Sequence, residues 1–454
     1  MRSISKVNMW VCISMLLALA VTGCSAPTAS SGGGQAAALA ANAAGLKSGG
    51  NGEPQMLSVL IKPFANDVEK AHWNTIVKAF EDKNKDIKVQ FATGDVSVES
   101  GKLTTMLNSG VTPPDTIMIN AGPARVGVLS KANLIIPMDD IYKKYNWQDK
   151  LNPFAYNLVS FSGKIYELPH GIDYNSIGFN KDIFQKVGAK LPTTPEEFYT
   201  SMDQMKKAGY VPIALGTRVG FGISGLYGQM LEAVAGTEAV EGLFFGDSKW
   251  TDPPFLKTTE LLKEWADKGV ITKEAVSLSF DDQKAIFIQK KATMTQVSNY
   301  HIGDFIAANV LDTVGITPFP VFTPGLQPKP TGGIGFSWVI PVGAKHKDLA
   351  EKWLNFIVDD YTDISYKDPN YNNIPATKRA LEITPAGPIL AEMVKGIKQG
   401  VGYHPTLFIG PEAKNAFLQN LPGVITGLVT PQQAMENIQA GKMKDIEAGY
   451  KLKK

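Results

Sequence analysis

The segments 56-MLSVLI-61, 67-DVEKAHWNTIVKAFEDK-83, 87-IKVQFA-92, 102-KLTTML-107 and 115-DTIMIN-120 follow one another in the chain, and their rhythm decides the fold. The first is an apolar run of strand length. In the second, Val68, Ala71, Ile76, Val77 and Phe80 recur near helical spacing. Residues 87–92 alternate as a strand does, 102–107 suit a helix, and 115–120 resemble a buried strand; Pro113-Pro114 separates the last two. A β-α-β-α-β order predicts a mostly parallel sheet covered by helices. The alternation resumes downstream, with strands expected at 164–168, 176–179, 211–215, 293–297, 314–319 and 338–342 and a helix at 181–187. Thr194-Pro195-Glu196-Glu197 has the chemistry of a helix start, a hydroxyl cap followed by proline at the first helical position, and Thr430-Pro431-Gln432-Gln433 repeats it. The last hundred residues read as mainly helical. That is more strands than one small sheet holds, and two α/β lobes fit the 454-residue length.

The composition is globular: 44% hydrophobic residues, 45 Lys+Arg against 43 Asp+Glu, a net charge of +2. Nucleic-acid binding, which needs a basic excess, is not expected. Arg2 and Lys6 precede an apolar run at 9–21 that is too short to span a bilayer but fits the core of a signal peptide. The run ends at Val21-Thr22-Gly23-Cys24, which resembles the lipobox of bacterial lipoproteins, with Cys24 as the lipidated residue. The alternative is an ordinary secretory signal cut a few residues later. Residues 1–23 are thus expected to be a leader and 24–54 a lipid-anchored tether. Of the 28 residues at 25–52, 9 are Ala, 7 Gly and 4 Ser, a composition that cannot bury a core. Of the two cysteines, Cys12 falls in the leader and Cys24 would carry the lipid, so the folded part has no thiol for catalysis, redox or zinc.

No local motif marks an enzyme. Gly220-Phe221-Gly222-Ile223-Ser224-Gly225 matches GxGxxG, but four residues separate it from the preceding strand. A dinucleotide site needs strand, turn and helix in immediate succession, so a loop that admits a ligand or a neighbouring helix is the better reading. The Gly-Lys pairs lack the hydroxyl of a phosphate-binding loop. His72, His170, His301, His346 and His404 are too scattered to form a local metal pair. Catalytic residues, metal and cofactor are all expected to be none.

Several longer stretches are more specific. Gly163-Lys164-Ile165-Tyr166-Glu167-Leu168-Pro169, Gly171 to Asp173 and Gly178-Phe179-Asn180-Lys181-Asp182-Ile183-Phe184 lead to Pro192-Thr193-Thr194-Pro195-Glu196-Glu197-Phe198. Pro114 to Met118 precedes them, and Phe287 to Met294, Gly332-Gly333 and Ile374-Pro375-Ala376 follow, in a consistent order. Together they resemble the extracellular solute-binding proteins of ABC importers, the large carbohydrate-binding family that includes maltose-binding protein. The family pattern is GK-Y-LP, YNKD-F, P-TW-EF and F-GKAAM; this chain has Phe179 for the tyrosine and Pro195 for the tryptophan. The resemblance covers about residues 56–448. It implies a two-lobe periplasmic-binding-protein-like (type II) α/β fold with hinge segments and a cleft between lobes. Lobe 1 is expected at 55–170 and 313–362, and lobe 2 at 171–312 and 363–454.

The resemblance also places candidate ligand residues. Asp173 falls where a hinge enters the second lobe, at a position that accepts sugar hydroxyls, although a hinge-turn role is the alternative. Tyr300 stands six residues after Met294, where relatives often stack a tryptophan on the sugar, with Asn299 beside it. Trp338 follows the Gly-Gly turn, Phe221 lies in the glycine-rich segment, Lys62 and Phe64 follow the first strand, and Asn120 follows the third. No tryptophan stands near Asn120, which argues against a maltodextrin. Aromatic rings would meet the C–H face of a sugar while carboxylates and amides bind its hydroxyls. The implied partners are a carbohydrate, the permease subunits of an ABC transporter and the membrane, through lipid on Cys24. A monomer on the outer face of the cytoplasmic membrane of a Gram-positive cell is expected. Other readings are a secreted carbohydrate-active enzyme, a sugar-presenting receptor for a signalling kinase, and a binder of a non-sugar solute such as a polyamine.

Overall fold

The computed structural model describes residues 54–161, 163–218 and 220–450. The leader, Cys24 and the tether up to residue 53 lie outside the described residues. Thirteen strands are described: β1 (Gln55–Ile61), β2 (Ile87–Thr93), β3 (Thr116–Asn120), β4 (Ser160–Phe161), β5 (Lys164–Ile165), β6 (Leu168–Pro169), β7 (Ile172–Asn180), β8 (Val211–Ala214), β9 (Ala292–Ser298), β10 (Val314–Thr317), β11 (Thr331–Ile334), β12 (Phe336–Val339) and β13 (Gly402–Tyr403). They build two main sheets, in the orders β2-β1-β3-β12-β6 and β13-β11-β7-β9-β8, with β10 also on β7. β1 pairs in parallel with β2 from Gln55↔Ile87 to Ile61↔Thr93, and with β3, as the opening rhythm predicts.

The helix expected at 67–83 is present as Asp67–Lys83. Asn66 caps it by accepting from the Glu69 amide, and Trp73, Ile76 and Phe80 form its buried stripe. Thr194 and Thr430 likewise accept from the amides three residues on and start helices Pro195–Lys207 and Pro431–Glu447. The expected strand at 176–179 is longer. β7 begins at Ile172, and Asp173, Asn175 and Ser176 are buried inside it. The segment 220–225 is helical rather than a loop, because helix Phe221–Val234 begins there. A Cβ at Gly222 or Gly225 would strike the Gln283 or Gln296 side chain, so these glycines serve close packing.

Each sheet carries its own core. Leu57, Ile76, Trp147, Trp338 and Trp353 belong to the first, and Phe198, Leu226, Trp250, Trp265 and Phe417 to the second. The chain crosses between them three times. The first crossing falls at 170–171, between β6 of the first sheet and β7 of the second. The second is later than the expected boundary at 313, because β10 and β11 pair with β7; the return falls at Gly335, between β11 and β12. The third also differs. Residues 363–401 were expected in lobe 2, yet Tyr366, Tyr371, Ile374, Met393 and Val401 pack in the first core. The segment is tied there by Asn152 N–H to Ala376 O, 2.9 Å, and Lys378 N–H to Lys150 O, 2.8 Å. Only from β13 onward does the chain rejoin the second sheet, through β11.

Candidate functional site

The crossings bring unlike chemistry together. Asp173 is the second residue of β7, opposite Gly333 of β11. Tyr300 follows β9 in a short 3-10 turn, Asn299–His301. A Cβ at Gly335 would collide with both Asp173 Oδ1 and the Tyr300 hydroxyl, so only glycine leaves these two groups their place at the second crossing. Asp173 is 2% exposed, and neither its Oδ1 nor the Tyr300 oxygen makes a hydrogen bond of proper geometry. Burial pushes the Asp173 carboxyl up to about 7; the nearby Tyr300 hydroxyl and the Arg125 charge only partly offset it. Tyr300 meets Phe336 edge to face, ring centres 5.8 Å apart. Phe336 in turn pairs with Asn120 at the end of β3.

The second lobe adds an aromatic wall. Phe221 stacks on His404 at 5.2 Å and meets Phe280 edge-on at 4.9 Å. His404 Nδ1 lies 3.2 Å from Ser224 Oγ, while its Nε2 is buried with no partner. Burial, then the Arg125 charge, hold this imidazole down to about 3, so it is neutral at physiological pH. An ion cluster closes the rim. Glu99 Oε1 of lobe 1 accepts from Arg125 Nε of the same lobe and from Lys414 Nζ of lobe 2, each at 2.7 Å. Although burial opposes it, the two cations hold Glu99 at about 2. Lys414 itself is pushed down, by burial and by Arg125, which outweigh the one carboxylate it shares. The carboxylate is the member this arrangement depends on. Among the described residues, no group of three or more His, Cys, Asp or Glu could hold a metal ion, and no helix is long and apolar enough to cross a membrane.

Residues 65–360 match the model of the bacterial extracellular solute-binding proteins, a span that includes both sheets' central strands and the Asp173–Tyr300 pair. The chain belongs to that family. An uncharacterised ABC transporter extracellular-binding protein of Pyrococcus horikoshii is 26% identical over 391 residues, which cover 83% of this chain and 85% of the relative. The mannitol-binding protein of Pseudomonas aeruginosa is 22% identical over 422 residues, 85% of this chain and 92% of the relative. A solved chitin oligosaccharide binding protein superposes with a TM-score of 0.71 at 24% identity, covering 87% of this chain and 99% of the other. The architecture is thus the two-lobe α/β fold of solute-binding proteins.

In this solute-binding protein the expected site residues divide. Asp173 and Tyr300 meet at the second crossing, and Asn120 reaches it through Phe336. Phe221 forms the second-lobe wall with His404. Trp338 does not line the cleft: it is fully buried in the first core, edge-on to Trp73 and Trp353, with its Nε1–H donated to His170 Nδ1 at 3.1 Å. Asn299 is fully buried and its amide is spent: Oδ1 accepts from the Tyr174 amide at 3.0 Å, and Nδ2 donates to Asn372 O at 2.9 Å. Lys62 is paired with Glu69 at 2.7 Å. Phe64 is stacked on Phe91 with ring centres 6.3 Å apart. Glu99, Arg125, His404 and Lys414 were not anticipated. They share no motif, and Glu99 and Lys414 are 315 positions apart, so only folding brings them together.

Proposed function

We propose that the protein is the substrate receptor of an ABC importer for a carbohydrate, which it captures between its lobes and hands to the permease without chemical change. The observation that carries this reading is the orphaned pair at the second crossing. A buried carboxyl oxygen and a buried phenol that meet each other without a hydrogen bond of proper geometry leave bonding capacity unused, worth about 1–3 kcal/mol each, and the hydroxyls of a sugar are the complement they lack. Phe336 offers an apolar ring against Tyr300, and Phe221 another on the second lobe beside His404. The names of the mannitol-binding relative and the chitin-oligosaccharide-binding structure point the same way. Hinge motion at the three crossings would close the lobes over the solute. Cys24, at the lipobox-like sequence, would hold a monomer at the outer face of the cytoplasmic membrane on a diacylglyceryl group; two acyl chains anchor stably where one does not.

The test is calorimetric titration of residues 54–454 with a panel of mono- and oligosaccharides and alditols, the bound sugar being recovered and analysed. Wild type should bind one sugar class and return it intact. Asp173→Asn and Tyr300→Phe should each weaken binding by roughly 10- to 100-fold, as the loss of a buried polar contact to ligand does. Cleavage of the recovered sugar, or wild-type affinity in both variants, would overturn the reading.

A further inference from the structure

A second buried carboxyl lies at the same seam. Glu167 precedes β6 and is 4% exposed. Its main chain is used, since the Tyr142 hydroxyl donates to its carbonyl at 2.8 Å, but its side chain is not. Oε2 and the neighbouring Ser337 Oγ make no hydrogen bond of proper geometry, although the hydroxyl is near enough to act on the carboxyl. Burial pushes this carboxyl up to about 8, with only the Ser337 hydroxyl opposing, so near neutral pH it is a protonated acid that can both donate and accept. Glu167 borders a cavity of about 20 Å³, room for one small polar group. The cavity is built from both lobes: Gly122 and Val126 of the first, Leu407 and Phe408 of the second, and Ile334 from the strand that ends at the crossing. Gly122 has φ +104°, and a Cβ there would press on the Leu407 carbonyl, so the glycine lets the lobes meet over the cavity. Ile334 adjoins Gly335, against which Asp173 and Tyr300 sit. The cavity and the Asp173–Tyr300 pair thus lie against successive residues at the end of β11 and the crossing that follows it.

We propose that this cavity is a second polar subsite of the cleft, where a hydroxyl of the bound carbohydrate hydrogen-bonds the Glu167 carboxyl. The inference rests on the carbohydrate reading above. A residue kept only for packing would not be a buried acid with a single hydroxyl beside it, since removing such a group relieves its desolvation. Stability and binding should therefore move in opposite directions on substitution.

The experiment titrates wild type, Glu167→Ala, Glu167→Gln and Asp173→Asn with maltose, N,N′-diacetylchitobiose, D-galactose and D-mannitol, and records each unliganded melting temperature. For the probe that wild type binds, Glu167→Ala should lose at least tenfold in affinity while melting no lower than wild type. Glu167→Gln, which keeps the shape, should lose at least threefold and serves as the test if the alanine variant does not fold. Affinity within twofold of wild type in the Glu167 variants, with binding lost in Asp173→Asn, overturns the subsite and leaves the receptor reading standing. Absence of binding to every probe by wild type overturns both.

Discussion

Replacing Glu99 by Gln keeps the shape of the rim and removes the one anion shared by two cations. Arg125 Nε and Lys414 Nζ each lie 2.7 Å from Glu99 Oε1, so they are no more than twice that distance apart. Two unit charges at that separation repel by about 3 kcal/mol at an effective dielectric of 20. Glu99 is 41% exposed, so solvent screening reduces this to about 1.5 kcal/mol, roughly tenfold in the ratio of closed to open lobes. Only the Lys414 contact crosses between lobes, so opening relieves the repulsion. Glu99→Gln should accordingly weaken the affinity for a bound sugar about tenfold and enlarge the radius of gyration of the unliganded protein in small-angle scattering. Adding Lys414→Met should restore both, because a single cation remains. The deficit should shrink in about 1 M salt, where the Debye length falls to about 3 Å. If Glu99→Gln binds within twofold of wild type at low salt, or if Lys414→Met fails to rescue it, the rim cluster does not govern closure.

Three further outcomes follow from particular contacts. Trp338→Ala should destabilise the protein by about 3–5 kcal/mol, as loss of a fully buried tryptophan does, and calorimetric affinity measured well below the lowered melting temperature should stay within about threefold of wild type. Gly335→Ala should weaken sugar binding more than tenfold while costing less stability than Trp338→Ala, since its new methyl meets Asp173 and Tyr300 rather than the core; equal affinity would refute the geometry of the second crossing. Thermal stability should peak between about pH 5 and 6.5 in a calorimetric pH series. Burial holds His170 and His404 down to about 3 and His72 and His301 to about 4, so the stability they contribute is present above their unfolded pKa near 6.5 and is lost as pH falls, at about 1.4 kcal/mol per unit per group. Glu167 at about 8, with Asp173 and Glu232 at about 7, bind protons more readily when folded, so they add stability as pH falls from 8 toward 4 and then stop. Below about pH 4.5 the histidine loss is unopposed and the decline should be steep.

Much of the framework was legible because it rests on local chemistry. The apolar stripe of Asp67–Lys83 and the threonine caps at 194 and 430 act within a few residues, and the structure reproduces them. β7 was read short because Asp173 and Asn175 are turn formers in isolation. In the fold Asn175 is held on both sides, by Thr331 O at 3.3 Å and by Gln296 Nε2 at 2.6 Å, contacts that no local window contains. The boundaries at 313 and 363 failed for the same reason, since strand pairing and long-range ties decide which lobe a segment joins. Trp338 was misjudged by depth rather than by face. It lies on the same side of β12 as Phe336, but two residues, about 7 Å, further into the lobe. The orphaned carboxyl of Asp173 could be placed from the resemblance; the unpaired state of Glu167 and the rim cluster exist only once the lobes meet.

Three crossings make each lobe a mosaic of distant segments. The first core takes in Leu57 and is not complete until Val401; the second begins at Ile177 and needs Phe417, Leu421 and Ile438. A chain made from its N-terminus onward cannot finish either hydrophobic core until most of it has been synthesised, and the second waits for the helices Pro411–Thr426 and Pro431–Glu447. Sequence separations this long slow folding. Were such a chain threaded unfolded through a narrow channel, late closure would be an advantage: the topology itself would delay compaction and keep the chain threadable until its last helices emerged.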